Sequence, residues 1–345
     1  MGSKKAAMRG AAAVEAGRQV FASATGRWAG ERMAEAIRNG EPLTPAVLRT
    51  NDTLRKDEWL QLDDVLVQEG LIRLKGVADL IAAGLTTPIQ NAMGTMIYQY
   101  ERVTDMNPAG VSLSGIDRTE LDRVEFDHVS IPLPIVHKDF NINLRTLEAS
   151  RKRGESLDTT QGRVAGRLVG ERIEQMLFQG GPTFGGNTIY GYLSHPLRHQ
   201  LAFGAGGAWN LAAKTGQQVV DDTMRCIATL QTQRFYGPYW MYVSGAYGLK
   251  LSQDFAAAKG DNTIRDRLMK IDGLVKISTV DQITPAHVVV LQATSDVVTM
   301  GDGETLQTIQ WDIHGGFEIA FKAFAIQIPL IRTDAQDNCG IVDLH

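Results

Sequence analysis

The chain has 345 residues, length enough for more than one folded unit. Hydrophobic residues make up 43% and charged residues 21%, an ordinary balance for a folded chain that excludes a wholly disordered one. The formal net charge of −4 excludes a surface given over mainly to nucleic acid.

Charge is nevertheless uneven. Residues 1–40 carry seven basic side chains against Glu15, Glu31 and Glu35, a local charge of +4 that leaves about −8 for the remainder. Such an arm either faces a polyanion such as DNA, with Lys4, Lys5, Arg9 and Arg18 as the candidate contacts, or is a solvated helix with scattered arginines. Cys226 and Cys339 are far apart and match no metal spacing, which suits a reducing compartment without a disulfide framework. The longest apolar stretch, Phe317 to Ile331, is broken by Glu318, Lys322, Gln327 and Pro329, so no membrane span is expected. The run Ala11–Val14 is cut by Glu15 and Arg18, too short for a signal peptide, and synthesis in the cytoplasm is expected.

Taken in order, residues 1–45 form an Ala-rich arm that can bury little by itself. Residues 50–85 look helical: Asn51 or Asp52 can cap, and Trp59, Leu60, Leu62, Val65 and Leu66 share a face, with Gly70 and Gly76 dividing the stretch. Met96–Tyr100 and Val124–Val129 favour strand. The polar stretch between them, with Asn107-Pro108, Gly110 and Gly115, makes this a long hairpin with a broad tip. An isolated ribbon is marginal in water, so the hairpin is covered by another subunit or folds back on its own domain.

Residues 158–180 give the clearest helix, with Asp158 as N-cap and Gln161 completing a capping box. Val164, Leu168, Val169, Ile173, Met176 and Leu177 are its expected apolar face, and Gly180-Gly181-Pro182 ends it. Between 185 and 300 the expectations are a helix Gln217–Gln233, a strand Tyr239–Val243, a short helix Ile264–Leu268 and a buried strand His287–Leu291. Near the end Phe317, Ile319 and Phe321 alternate in one phase and Phe324, Ile326 and Ile328 in the other. Either a bulge lies near Lys322-Ala323 or both faces of the strand are covered.

The search for chemistry yields no constellation. His137-Lys138-Asp139 lacks a third partner set by spacing, and His195 and His199 stand four apart but around Pro196 and without a zincin Glu. Gly204–Gly207 and Gly180–Gly186 continue into no phosphate-binding lysine and read as loops. Ser244 follows a strand without the glycines of a nucleophile elbow. Asp221-Asp222 is expected on a helix surface, pointing two ways. These residues give no support for a catalytic, cofactor or metal site, and none is expected; an unrelated α/β enzyme in 185–300 is the contrary reading.

From about residue 90 onward the order of features resembles the Hong Kong 97-type major capsid proteins of tailed phages, in the branch related to encapsulins. The resemblance is carried by Val129-Ser130-Ile131-Pro132-Leu133-Pro134-Ile135 with Asp139-Phe140, and by Arg145–Arg151 leading through Gly154 to Asp158. It continues in Leu177-Phe178-Gln179-Gly180, Tyr242-Val243-Ser244, Ile309-Gln310-Trp311-Asp312, Gly315-Gly316-Phe317-Glu318 and Pro329-Leu330-Ile331-Arg332. It implies an α+β fold: an N-terminal arm (1–50), a helical part of the peripheral domain (51–94) and an extended loop hairpin (95–137). A peripheral domain with a long spine helix (138–189), an axial domain (190–302) and closing peripheral strands (303–345) complete it.

The resemblance further implies self-assembly into pentamers and hexamers of an icosahedral virion shell made in a host cytoplasm and enclosing double-stranded DNA. Separate scaffold and portal proteins, cement proteins in some members, and no cofactor or membrane go with it. The alternative is an encapsulin-like compartment holding cargo enzymes. Residues 95–137 contain no lysine, so the lysine crosslink of some members is not expected. Asp117, Arg118, Glu120, Asp122, Arg123 and Glu125 are the candidate inter-subunit charges of the hairpin.

Overall fold

A computed structural model describes residue 62 and residues 74–103, 126–153, 160–255, 262–283, 286–334 and 336–345. The arm, most of 51–73, the hairpin tip and Asp158 lie outside these residues.

The elements run α1 (Lys75–Ala82), β1 (Thr86–Pro88), β2 (Ile97–Val103), β3 (Phe126–Pro132), β4 (Val136–Asn143), α2 (Leu144–Arg153) and α3 (Thr160–Gln179). A small hairpin follows, β5 (Thr183–Phe184) and β6 (Asn187–Thr188), then β7 (His199–Leu201), α4 (Gly216–Thr232), β8 (Tyr239–Val243) and α5 (Gly245–Leu251). The chain closes with α6 (Ile264–Leu268), β9 (Leu274–Thr279), β10 (Val288–Gln292), β11 (Val298–Ile313), β12 (Glu318–Ile331) and β13 (Ile341–Leu344). Among the described residues no helix is long and apolar enough to cross a membrane.

Two larger sheets carry the fold. One has the order β1-β11-β12-β4, the other β7-β13-β10-β8-β9. The second is built on strands that alternate strictly. In β8, Tyr239, Met241 and Val243 enter a core with α4, α5 and α6, while Trp240 and Tyr242 enter the core shared with α1, α3 and the first sheet. Period-two side-chain direction makes this division automatic once the strand forms. Thr215 and Gln218 close a capping box at the start of α4, and Thr263 and Asp266 do the same for α6.

Helix α3 is the seam of the molecule. Its buried residues are Gly162, Ala165, Gly166, Val169, Gly170, Ile173, Glu174, Met176, Leu177 and Phe178. The expected face is therefore corrected by about one position: Val164 and Leu168 are 41% and 37% exposed. Small residues line the N-terminal half because the helix lies close against its neighbours. A Cβ on Gly162 would come 2.6 Å from Leu62 Cδ1. Branched side chains would hold the helix off, so burial follows shape here and not hydrophobicity. At the other end the Phe178 ring meets Tyr192 and Tyr242 edge-on, with centroids 5.3 and 5.2 Å away.

Strand β12 has both faces covered, which decides between the two expectations for it. Ile319 and Phe321 pack with Leu62, Ile142 and Leu147, and Ala323 and Ala325 continue that face into the shared core. Ile326, Ile328 and Leu330 face the opposite way, under Ile89, Ala92 and Leu133. Register runs unbroken through Lys322 and Ala323; the irregularities lie in β11, between Asp302 and Glu304 and between Glu304 and Gln307.

Glu174 is the charged member of the seam. Its carboxylate accepts from the Gly76 and Val77 backbone N–H groups at 2.7 and 3.3 Å, capping α1 from 98 and 97 residues away. Burial, against the pull of these two bonds, raises its pKa from the usual 4.5 to about 7. With the folded value above the unfolded one, the group's stabilising contribution is complete below about pH 4.5 and is lost as pH rises through about 7. In Glu174→Gln, thermal unfolding followed from pH 4 to 8 is expected to lack this component. The melting-temperature gap between wild type and variant should change across pH 4.5–7 and stay level above it.

Candidate functional site

The hairpin root is where the sequence pattern and the packing converge. β2 and β3 pair antiparallel from Ile97↔Pro132 to Val103↔Phe126. Tyr98 and Ile131 lie against the cluster of Ile326, Ile328 and Leu330, so the root covers the outer face of β12. Tyr100 donates its hydroxyl to Ile331 O at 3.2 Å, and the Arg332 guanidinium sits 5.7 Å from the centre of the Tyr100 ring. Burial, eased by Arg332 and Arg102, raises the Tyr100 pKa, so the phenol stays a donor. Arg102 donates to Thr333 Oγ1 at 3.1 Å, pairs with Asp337 and lies 3.5 Å from Asp127.

These contacts fasten the ribbon to the body as far as Val103 and Phe126. Beside the root stand apolar side chains with no cover from the described residues: Met96 is 85% and Phe126 61% exposed, with Ile97 and Ile135 also exposed. Elsewhere, Leu249 on α5 is 76% exposed and Tyr236, in the loop before β8, 71%. Apolar surface of this kind, set beside the hairpin root, suits contact with another protein surface. The alternation Tyr98, Tyr100, Arg102 was the signal in the sequence that could have found the root, since it puts three long side chains on one strand face.

The candidate charges Asp117, Arg118, Glu120, Asp122, Arg123 and Glu125 lie outside the described residues, as do Lys4, Lys5, Arg9 and Arg18. The other singled-out groups are scattered. His195 sits in a turn, edge-on to Tyr190, and its Nδ1 accepts from the Leu197 N–H at 3.3 Å. Burial, then Arg198, lowers its pKa to about 4, and burial also lowers that of His199 on β7. The two are not neighbours on a helix, so the i,i+4 ligand geometry does not form. His137 and Lys138 are exposed on β4, and Asp139 pairs with Lys322 at 3.6 Å. Ser244 is the N-cap of α5 and is buried. Cys226 and Cys339 are buried free thiols whose pKa values burial pushes up to about 12, far from reactive thiolates.

Asp222 corrects its expectation. Asp221 is exposed, but Asp222 is only 2% exposed, because the inward face of α4 includes Val219, Asp222, Thr223 and Cys226. Its Oδ1 accepts from the Gly204 N–H at 3.0 Å, and its Oδ2 accepts from Trp209 Nε1 at 3.0 Å and Lys214 Nζ at 2.7 Å. Lys214 also donates to Ala205 O at 2.9 Å. The loop 202–214 is thus wound around one carboxylate, with Gly206 and Gly207 supplying left-handed turns at φ +86° and +72°. The glycines are a loop, as expected, and the loop is organised from α4.

The comparisons with known proteins agree with this geometry. A family described as "Family of unknown function (DUF6260)" matches residues 49–312. The chain belongs to that family. Among curated proteins, the Type 1 encapsulin shell protein EncA of Myxococcus xanthus (strain DK1622) is 26% identical over 194 residues. That match covers 55% of this chain and 61% of EncA, so the chain spans less than two thirds of that relative.

Among solved structures, the virus-like particle from Pyrococcus furiosus superposes with a TM-score of 0.57 at 14% identity, covering 83% of this DUF6260 chain and 98% of that one. The capsid of Myoviridae Phage XM1 gives 0.56 at 12% identity, over 72% and 85%. The fold is the mixed α/β Hong Kong 97 type shared by phage capsids and encapsulin-like shells, as the resemblance implied.

Replacing Asp222 by Ala leaves Lys214 buried without its counter-charge and is expected to cost about 3–5 kcal/mol in urea unfolding of the subunit. The pair replacement Asp222→Leu with Lys214→Met should recover most of that loss; equal losses in both would contradict the role given to the pair.

Proposed function

We propose that this chain is the major capsid protein of a tailed phage, assembling as pentamers and hexamers into an icosahedral head around double-stranded DNA. The observation that carries the reading is the hairpin. Its root is fastened to β12 by Tyr98, Ile131 and Tyr100 and to the segment after β12 by Arg102, and apolar side chains stand uncovered beside it. A shell is held by many modest contacts between projecting elements and flat neighbours, and a root this firmly held makes a projection directional. The fold shared with capsid chains supports the same reading. The role is structural and uses no cofactor.

In this reading the hairpin charges Asp117, Arg118, Glu120, Asp122, Arg123 and Glu125 set register between subunits. Lys4, Lys5, Arg9 and Arg18 of the arm face the genome without sequence preference. Scaffold and portal proteins come from other genes, with cement proteins an addition in some shells.

The EncA match favours a second reading, a compartment of the encapsulin kind that encloses proteins. Expression of the full chain followed by negative-stain microscopy is expected to give large symmetric particles; a monomer under every assembly condition would refute both readings. Nuclease-protected DNA in particles formed with the neighbouring phage genes supports the head, whereas a co-purifying cargo protein with no protected DNA supports the compartment.

Deleting Met106 to Gly115 should abolish particles while leaving the subunit soluble and its unfolding transition near wild type. Normal particles from this deletion would remove the hairpin from the assembly.

A further inference from the structure

A cluster far from the hairpin root carries its own chemistry. His287 immediately precedes β10, Asp343 lies within β13 and His345 immediately follows it. Antiparallel pairing of Val288 with Leu344 brings the two histidines to the same end of adjacent strands. Their rings stack with centroids 5.2 Å apart. The backbone of His345 is held on both sides, donating to Leu201 O at 2.9 Å and accepting from Phe203 N at 3.2 Å.

Asp343 is completely buried, with Oδ1 2.8 Å from His287 Nδ1 and Oδ2 3.6 Å from His345 Nδ1. One donor atom from each of the three residues falls within 4.8 Å of the others. Imidazole nitrogens and carboxylate oxygens at 2.0–2.2 Å from a tetrahedral ion stand roughly 3.3–3.5 Å from one another. Small rotations of the two rings therefore suffice.

We propose that His287, Asp343 and His345 bind a divalent transition-metal ion of the zinc type, with a solvent molecule in the fourth position. One carboxylate oxygen of Asp343 and one ring nitrogen of each histidine are the ligands. Arg198 holds the other carboxylate oxygen, donating through Nε to Oδ2 at 3.2 Å while its Nη1 donates to His195 O at 3.1 Å. A guanidinium in that place orients a ligating carboxylate, as outer hydrogen-bond partners of metal ligands do. Its positive charge also weakens the site for the ion, which sets the expected affinity in the micromolar range and not lower. His345 is part-exposed, so the fourth position opens to water. On binding, a neutral His287 gives up any proton on Nδ1 and carries it on Nε2 instead, so the ring stays a neutral imidazole and no redox change occurs. Imidazole donors select zinc, cobalt or nickel over magnesium and calcium. The bound ion clamps β10 to β13 and so fixes the edge of the five-stranded sheet next to β7.

The test uses the full chain, tag-free and stripped with a chelator, titrated with zinc chloride by calorimetry and with cobalt chloride by visible absorption. One ion per chain, micromolar binding, cobalt bands typical of four nitrogen and oxygen donors and a raised Tm with zinc are expected; magnesium chloride should give none of these. His345→Ala and His287→Ala should each weaken binding at least tenfold and lose the Tm response. His345 is the safer position because its side chain is 41% exposed, so folding of that variant, checked by circular dichroism, is expected to be retained. The proposal is overturned if wild type binds no zinc, or if folded His345→Ala binds zinc as wild type does.

Discussion

Helix α3 can lie against two sheets only because its buried face is small at one end and large at the other. Gly162, Ala165, Gly166 and Gly170 allow close approach, while Ile173, Met176, Leu177 and Phe178 fill the space between the four-stranded and five-stranded sheets. The same packing reaches α1: a Cβ on Gly76 would come 2.9 Å from Leu177 and Phe178. Tight packing of this sort resists change in volume in either direction. With one apolar cluster serving both sheets, the strands that feed it cannot shift independently. The hairpin root inherits that rigidity, because β12 supports the root on one face and the shared core on the other.

Polar groups inside the molecule act as ties between separate elements. Glu174 caps α1, Asp222 gathers the loop 202–214, and Asp343 joins Arg198 to His287. Each carboxylate is buried and meets donors, but at Glu174 the two backbone donors offset the loss of water only in part. Such groups contribute specificity of arrangement more than net stability.

Much of this was legible beforehand where the signal is local. Strand β8 was readable because four of its five residues are aromatic or β-branched, whereas α4 was read from Gln217, one residue inside its start, without the Thr215–Gln218 capping box. The hairpin strands and the doubly covered β12 were also open to reading, since the two phases of Phe and Ile pointed to two faces. The α3 face was misplaced because hydrophobicity alone selected Val164 and Leu168, whereas close approach selected glycine and alanine. Asp222 was misjudged because its partners, Gly204, Trp209 and Lys214, belong to a loop whose path the helix pattern does not contain. Tyr100 and Arg102 were passed over because their partners lie about 230 residues away.

By itself the sequence determined many of the helix and strand positions. These depend on propensity, capping and period, which act over a few residues. Only the tertiary structure decided which face of α3 is buried, what holds the hairpin to the body and which charges are interior. Those depend on contacts between separate elements, where shape and desolvation set the outcome and no local period records it.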